Sequence, residues 1–192
     1  SITKREDRLG GAANVALNIA ALGANPILCS VIGNDDKGKL FLKLLKQNKM
    51  STVGFVKSKN RPTTVKTRVI SSNQQILRVD QEIESPIEKI ETKALIQSID
   101  SILKTTKIDV VIFEDYDKGV ITSQLVETIV KNCKKYKIPV CVDPKKRNFF
   151  HYSDLTFFKP NLKELSEGMK VDLDGNSIKS IISLSFTPLI IT

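Results

Sequence analysis

The chain has 192 residues, of which 41% are hydrophobic and 27% charged, the balance of one ordinary globular domain or of one with a small appendage. No apolar run approaches transmembrane length and the opening "SITKREDR" has no signal-peptide core, so the expectation is a cytoplasmic protein with no membrane partner. The net charge of +9 raises nucleic acid as a partner, but the lysines are spread over helix surfaces and no basic block is interleaved with aromatics, which sets that class aside.

The first element is a helix in "RLGGAANVALNIAALGANP", residues 8–26, where Val15, Ile19 and Leu22 repeat at helical spacing and alanines fill the other faces. A helix apolar all round is expected to be buried, so Asn14 and Asn18 need partners or a function. Either they bond neighbouring backbone in a core, or Gly10 and Gly11 let a ligand approach the helix N-terminus. "PILCSVIG" (26–33) follows as a buried strand and "NDDKGKLFLKLLKQNKM" as an amphipathic helix, with Asp35 and Asp36 at its positive end. Residues 52–82 then change to period-two alternation, which predicts an antiparallel meander of three strands.

"SPIE" at 85–88 predicts a capping box opening a helix that runs to about Lys104. The rhythm after it is regular: a strand at 108–113, a helix from Thr122 to Tyr136, strands at 139–143 and 155–158, and a short helix after Asn161. A weaker helix near 177–184 and a last apolar run, "PLIIT", end the chain. Continuous apolar strands alternating with helices predict an α/β fold, a three-layer sandwich with a mostly parallel central sheet. The expected organisation is a core of 1–51 and 83–192 with a small antiparallel β lid at 52–82.

Cys29, Cys133 and Cys141 have no metal-binding spacing and read as free thiols in a reducing compartment, and the lone His151 reads as structural. The polar motifs are placed more tellingly. "GNDDKG" (33–38), "EDYDKG" (114–119), "DPKKR" (143–147) and "KPNLKEL" (159–165) each follow the carboxyl end of a predicted strand, where open α/β sheets bind ligands. In the meander, placing Leu77 and Val79 on the face of Val65 and Val69 calls for a turn of odd length, such as Ser72-Asn73-Gln74. That register sets Arg68 directly across from Arg78, an unfavourable pair unless something anionic lies near. They would form a phosphate clamp with Lys66 nearby; a different register would leave both arginines solvated.

Taken together, "GGAANVALNIAALGA", "GNDDKG", "RPTTVKTRVISSNQQILRVDQE", "DYDKG", "VDPK" and "KPNLKEL" resemble the PfkB (ribokinase-like) carbohydrate kinases, and among them the heptose-7-phosphate kinases of lipopolysaccharide precursor synthesis. The resemblance implies an ATP-dependent kinase acting on heptose 7-phosphate, with another sugar kinase of the family, or a non-catalytic sugar- or nucleotide-binding derivative, as alternatives. It implies sugar contacts at Gly10, Gly11 and Asn14, and substrate contacts from Arg68, Asn73, Gln74, Gln75, Arg78, Asp115 and Lys118. Asp143, Lys145, Asn161 and Glu164 would serve ATP and its phosphates, with Glu164 organising Mg²⁺ through water. The lid would cover the sugar and form a homodimer contact. The family's opening G-D-x-x-L-D-like motif and its later G-A-G-D motif, which holds the catalytic base, are not found among these residues. The expectation is therefore a kinase domain incomplete at both ends, with its base outside this chain and no turnover by the chain alone.

Overall fold

The computed structural model describes residues 2–72 and 74–170, so the helix expected near 177–184, the closing apolar run and Asn73 lie outside the described residues. The chain divides into two compact units, Ser1–Glu84 and Ser85–Thr192.

In the first unit, α1 (Ala12–Ala21), β1 (Cys29–Gly33), α2 (Asp36–Gln47) and β2 (Gly54–Ser58) precede a ribbon of β3 (Val65–Ser71) and β4 (Gln74–Gln81). β2 does not join the ribbon. It pairs parallel with β1, Cys29 opposite Gly54 and Gly33 opposite Ser58, with α2 as the crossover that parallel pairing needs. The expected three-stranded meander is thus two-stranded, because alternation in "GFVKS" reports half-burial and is blind to the partner. Nor is α1 buried all round. Only Ala13 and Ala16 are buried, against Leu45 and Met50, while Asn14 and Asn18 face outward and Leu22 is 87% exposed. Alanine makes a helix apolar without giving it enough bulk to pack on every face.

Asp35 caps α2 and holds the approach to the ribbon as well. One carboxylate oxygen accepts from the Gly38 N–H at 2.7 Å and the Thr63 hydroxyl at 2.8 Å; the other accepts from the Thr63 N–H at 2.8 Å. Burial alone would raise its pKa, but these donors outweigh it and hold the carboxyl below the usual range. The Arg61 guanidinium donates to the Ile83 carbonyl at 3.2 Å and ties the chain entering the ribbon to the chain leaving it.

The ribbon's register sets Arg68 opposite Arg78 and Val69 opposite Leu77 as expected, but an odd-length turn is not the cause. Ser71 pairs with Gln74 and Ile70 with Gln75, leaving Ile76 as the extra residue of a β-bulge that supplies the parity.

The second unit holds α3 (Lys89–Thr105), β5 (Val111–Glu114), α4 (Ser123–Tyr136), β6 (Val140–Asp143), a 3-10 helix (Lys146–His151), β7 (Phe157–Phe158) and α5 (Leu162–Met169). β5, β6 and β7 are parallel and adjacent, and Phe113, Val142 and Phe158 form one buried row across them. α4 contributes Leu125, Val126, Ile129, Val130 and Cys133 from a single buried stripe.

The capping box of α3 lies one turn later than "SPIE" suggested. Glu88 is the N-cap and its N–H donates to Glu91 at 2.9 Å. Residues 85–87 stay outside the helix because the Ile87 N–H donates to the Gly119 carbonyl at 2.9 Å. Gly119 sits at φ +73°, and a Cβ there would lie 1.9 Å from the Ser85 carbonyl oxygen. Gly119→Ala should destabilise the protein by about 2–4 kcal/mol, combining left-handed strain with a backbone clash. Equilibrium urea unfolding checks this, and a loss under about 1 kcal/mol would show that the two segments are not packed as described.

Candidate functional site

In the first unit the candidate residues occupy two places. At the start of α1, Gly11 is the N-cap at φ 55° and ψ −138°, a backbone that suits glycine alone, and no side chain caps the helix. The N–H groups of Ala13 and Asn14 turn back to the Gly10 and Gly11 carbonyls at 3.2 and 2.9 Å, so they do not point at a ligand. Asn14 presents an exposed amide one turn in.

On the ribbon, Lys66, Arg68, Arg78 and Asp80 alternate onto one face, since residues paired across the strands share a side. Arg78 is 3.0 Å from the Asp80 carboxylate, and Lys66 lies 3.5 Å from Asp80 and 3.2 Å from Glu82. The anion that makes the opposed arginines tolerable is therefore built in. Among the described residues Arg68 has no ion pair and no side-chain hydrogen bond, whereas Arg78 is paired. Gln74 and Gln75 are exposed at the ribbon's tip, and Asn73 lies outside the described residues.

The second unit gathers the remaining candidates where β5, β6 and β7 end side by side. "GNDDKG" belongs to the carboxyl end of β1, in a separate sheet, so three of the four motifs share this edge. Lys145 follows β6 and its ammonium contacts the Glu164 carboxylate. Burial alone would lower the Lys145 pKa, but Glu164, with Asp143 and Asp115 behind it, raises it above the ordinary lysine value. Asn161 and Glu164 close a reciprocal capping box on α5: Asn161 accepts from the Glu164 N–H, and Glu164 from the Asn161 N–H, each at 2.9 Å. The N-x-x-E spacing that resembles a phosphate–metal motif is therefore also a helix start. Asp143 pairs with Lys159 at 3.2 Å.

Asp115 is only 3% exposed, and its carboxylate faces protein donors: the Asp117 N–H, the Asn148 amide and the Tyr152 hydroxyl. Lys118 is half-buried in the loop that Asp115 begins. Asn148 and Tyr152 were not singled out from sequence. They lie 33 and 37 residues from Asp115, and no local pattern connects them.

The oxygen donors at this edge suit a hard cation such as Mg²⁺ only through water. Among the described residues no group of three or more His, Cys, Asp or Glu side chains could hold a metal. Both Glu164 oxygens are engaged, one by the Asn161 N–H and the other by Lys145. A hydrated ion, reluctant to shed its water, fits where a chelated one does not.

Glu114, the first residue of "EDYDKG", is a further residue of this edge. It is directly opposite Asp143 in register, and burial, followed by the Asp143 charge, raises its pKa. A carboxyl raised in the folded state costs stability as pH climbs from its unfolded value, near 4.5, through its folded one. Glu114→Gln should therefore stabilise the protein at neutral pH and make no difference below about pH 4. Thermal unfolding at both pH values checks this, and an equal gain at both would mean the charge is not responsible.

The chain matches the pfkB family carbohydrate kinases over residues 3–189. It is 40% identical over 177 residues to the "Bifunctional protein HldE" of Helicobacter acinonychis (strain Sheeba), covering 92% of this chain and 38% of that protein. The protein of the same name from Wolinella succinogenes is 40% identical over 181 residues, covering 93% of this chain and 38% of its own length. The chain thus spans little more than a third of the length of these curated relatives. In fold it is similar to phosphofructokinase-2 from Escherichia coli, with a TM-score of 0.70 at 19% identity over 89% of this chain and 56% of that one. It is likewise similar to 2-dehydro-3-deoxygluconokinase from Thermotoga maritima, with a TM-score of 0.65 at 13% identity, over 90% and 59% of the two chains. The α/β architecture of parallel sheets with a small antiparallel ribbon is the ribokinase-like fold, and the chain belongs to the pfkB family of carbohydrate kinases.

Proposed function

We propose that the protein transfers the γ-phosphoryl group of ATP to the anomeric hydroxyl of heptose 7-phosphate, yielding the 1,7-bisphosphate and ADP. The hydroxyl gives up its proton to a base, its oxygen bonds to phosphorus, and the bond to the β-phosphate oxygen breaks. Such transfer depends on positioning and on neutralising charge more than on covalent help from the protein. The observation that carries the reading is the ribbon's basic face, where Arg68 stands opposite an Arg78 already paired with Asp80. A lid guanidinium without a partner among the described residues supports a phosphorylated sugar over a neutral one. Gly10, Gly11, Asn14 and Asn73, with Gln74 and Gln75 at the ribbon's tip, would meet the sugar. Lys118, Asp143, Lys145, Asn161 and Glu164 would serve the nucleotide end. Mg²⁺ arriving with the nucleotide would neutralise charge on the transferring group. The three free thiols suit a reducing cytoplasm.

The ribbon's opposite face supports a homodimer formed through the lid. It carries Val69, Leu77 and Val79, about half exposed, beside Thr67. Leu77→Asp should shift the protein to monomer in sedimentation velocity, and an unchanged assembly would remove the ribbon from the contact.

The phosphate contact is tested by comparing ligands in titration calorimetry. Arg68→Ala should weaken heptose 7-phosphate by about 1.5–3 kcal/mol, the worth of a charged hydrogen bond, and cost unphosphorylated heptose much less. Arg78→Ala should cost less than Arg68→Ala, since its guanidinium is committed to Asp80. Asn14→Ala should weaken both sugars alike. Equal losses for both sugars with Arg68→Ala would make Arg68 a structural residue of the ribbon.

A further inference from the structure

Asp115 opens the loop that carries Lys118, and its carboxylate is spent inside the protein. One oxygen accepts from the Asp117 N–H at 2.8 Å, turning the loop back on itself. The other accepts from the Asn148 amide at 2.9 Å and the Tyr152 hydroxyl at 2.8 Å, both from the segment that begins at Lys145. Asn148 also donates to the Ile121 carbonyl at 3.3 Å, beyond the loop's far end. Its own N–H returns to the Lys145 carbonyl at 3.2 Å. Arg147 and Asp117 add an ion pair at 3.0 Å between the same two segments.

Asn148 is 6% and Tyr152 9% exposed, so water is a poor substitute for either donor. The Tyr152 ring lies 6.0 Å from Phe113 of β5 and 6.4 Å from Phe158 of β7, which fixes where its hydroxyl points. Burial, then the Asp115 charge, raises the phenol's pKa, so it stays protonated and donates.

We propose that Tyr152 and Asn148 are positioning residues: through the buried Asp115 carboxylate they hold the loop bearing Lys118 and the turn bearing Lys145 as one rigid piece. Their effect on catalysis rests on the kinase reading above; the mechanical link between the loops does not. Two cations that must meet one substrate complex keep their spacing only if their loops cannot drift apart, and phosphoryl transfer is sensitive to small misplacement.

Tyr152→Phe removes the hydroxyl and keeps the ring. Amide hydrogen exchange at residues 116–119 should rise about tenfold or more, while α4 keeps wild-type protection. In a version of the protein that also carries the family's G-A-G-D motif, phosphoryl transfer to heptose 7-phosphate should lose about tenfold in kcat, with KM for the sugar changed less than about threefold. Ile129→Val, a trimmed core residue of α4, should leave both exchange at 116–119 and kcat at wild-type values and so represents a merely structural lesion. If Tyr152→Phe does not fold, Asn148→Ser, which keeps the phenol, carries the same comparison. Unchanged exchange at 116–119, or a kcat matching that of Ile129→Val, would overturn the proposal. Failure of the kinase reading would show separately, as absent turnover in the version carrying the G-A-G-D motif without the substitution, and exchange at 116–119 would then decide the link by itself.

Discussion

An aspartate placed just beyond a parallel strand and bonded to chain far ahead of it is the interaction on which both units depend. A carboxylate leaving solvent must be repaid with donors, and at these positions its own loop cannot supply enough of them. Asp35, after β1, draws in Thr63 from 28 residues away, and Asp115, after β5, draws in Asn148 and Tyr152 from 33 and 37 residues away. In each case a strand end, the loop after it and a distant segment become one piece. The first fixes the approach to the ribbon; the second fixes the edge where Lys118 and Lys145 stand. Desolvation thus turns two loops that would otherwise be mobile into scaffolding.

The same economy of charge sorts the basic residues. A surplus of nine positive charges conveys little by itself, since many lysines meet acidic neighbours. What matters is which cations remain after internal pairing. Asp80 satisfies Arg78 and helps satisfy Lys66, which leaves Arg68 on the ribbon's face without an anion among the described residues. At the other edge Glu164 takes Lys145, and that contact keeps the ammonium charged and in place. The two arrangements differ in kind: among the described residues Arg68 meets no carboxylate, whereas Lys145 lies against Glu164.

Local chemistry made much of this legible from sequence. A helix opening at Thr122, acidic residues at the start of α2, the strand at β6 and the opposed arginines all follow from short-range patterns. The motifs past the strand ends could be read for the same reason, because a strand's end and its following loop are contiguous. Where the reading departed from the structure, more than one partner would satisfy the same local pattern. The alternation of β2 suits a parallel neighbour as well as an antiparallel one. An odd turn and a bulge at Ile76 give the ribbon the same parity, and "SPIE" is a sound helix start until Gly119 claims the Ile87 N–H.

The sequence by itself determined the class of fold, the order of its elements, the edge on which three of the four polar loops collect and the kinship with carbohydrate kinases. These rest on periodicity, caps and short motifs, which are properties of a window of residues. Only the tertiary structure decided what the charged groups do. It spends Asp115 on Asn148 and Tyr152, makes Asn161 and Glu164 a helix cap, and among the described residues pairs Arg78 but not Arg68. The physical reason is that a carboxylate's role is set by which donors reach it once water is excluded, and those donors come from parts of the chain that sequence spacing does not relate.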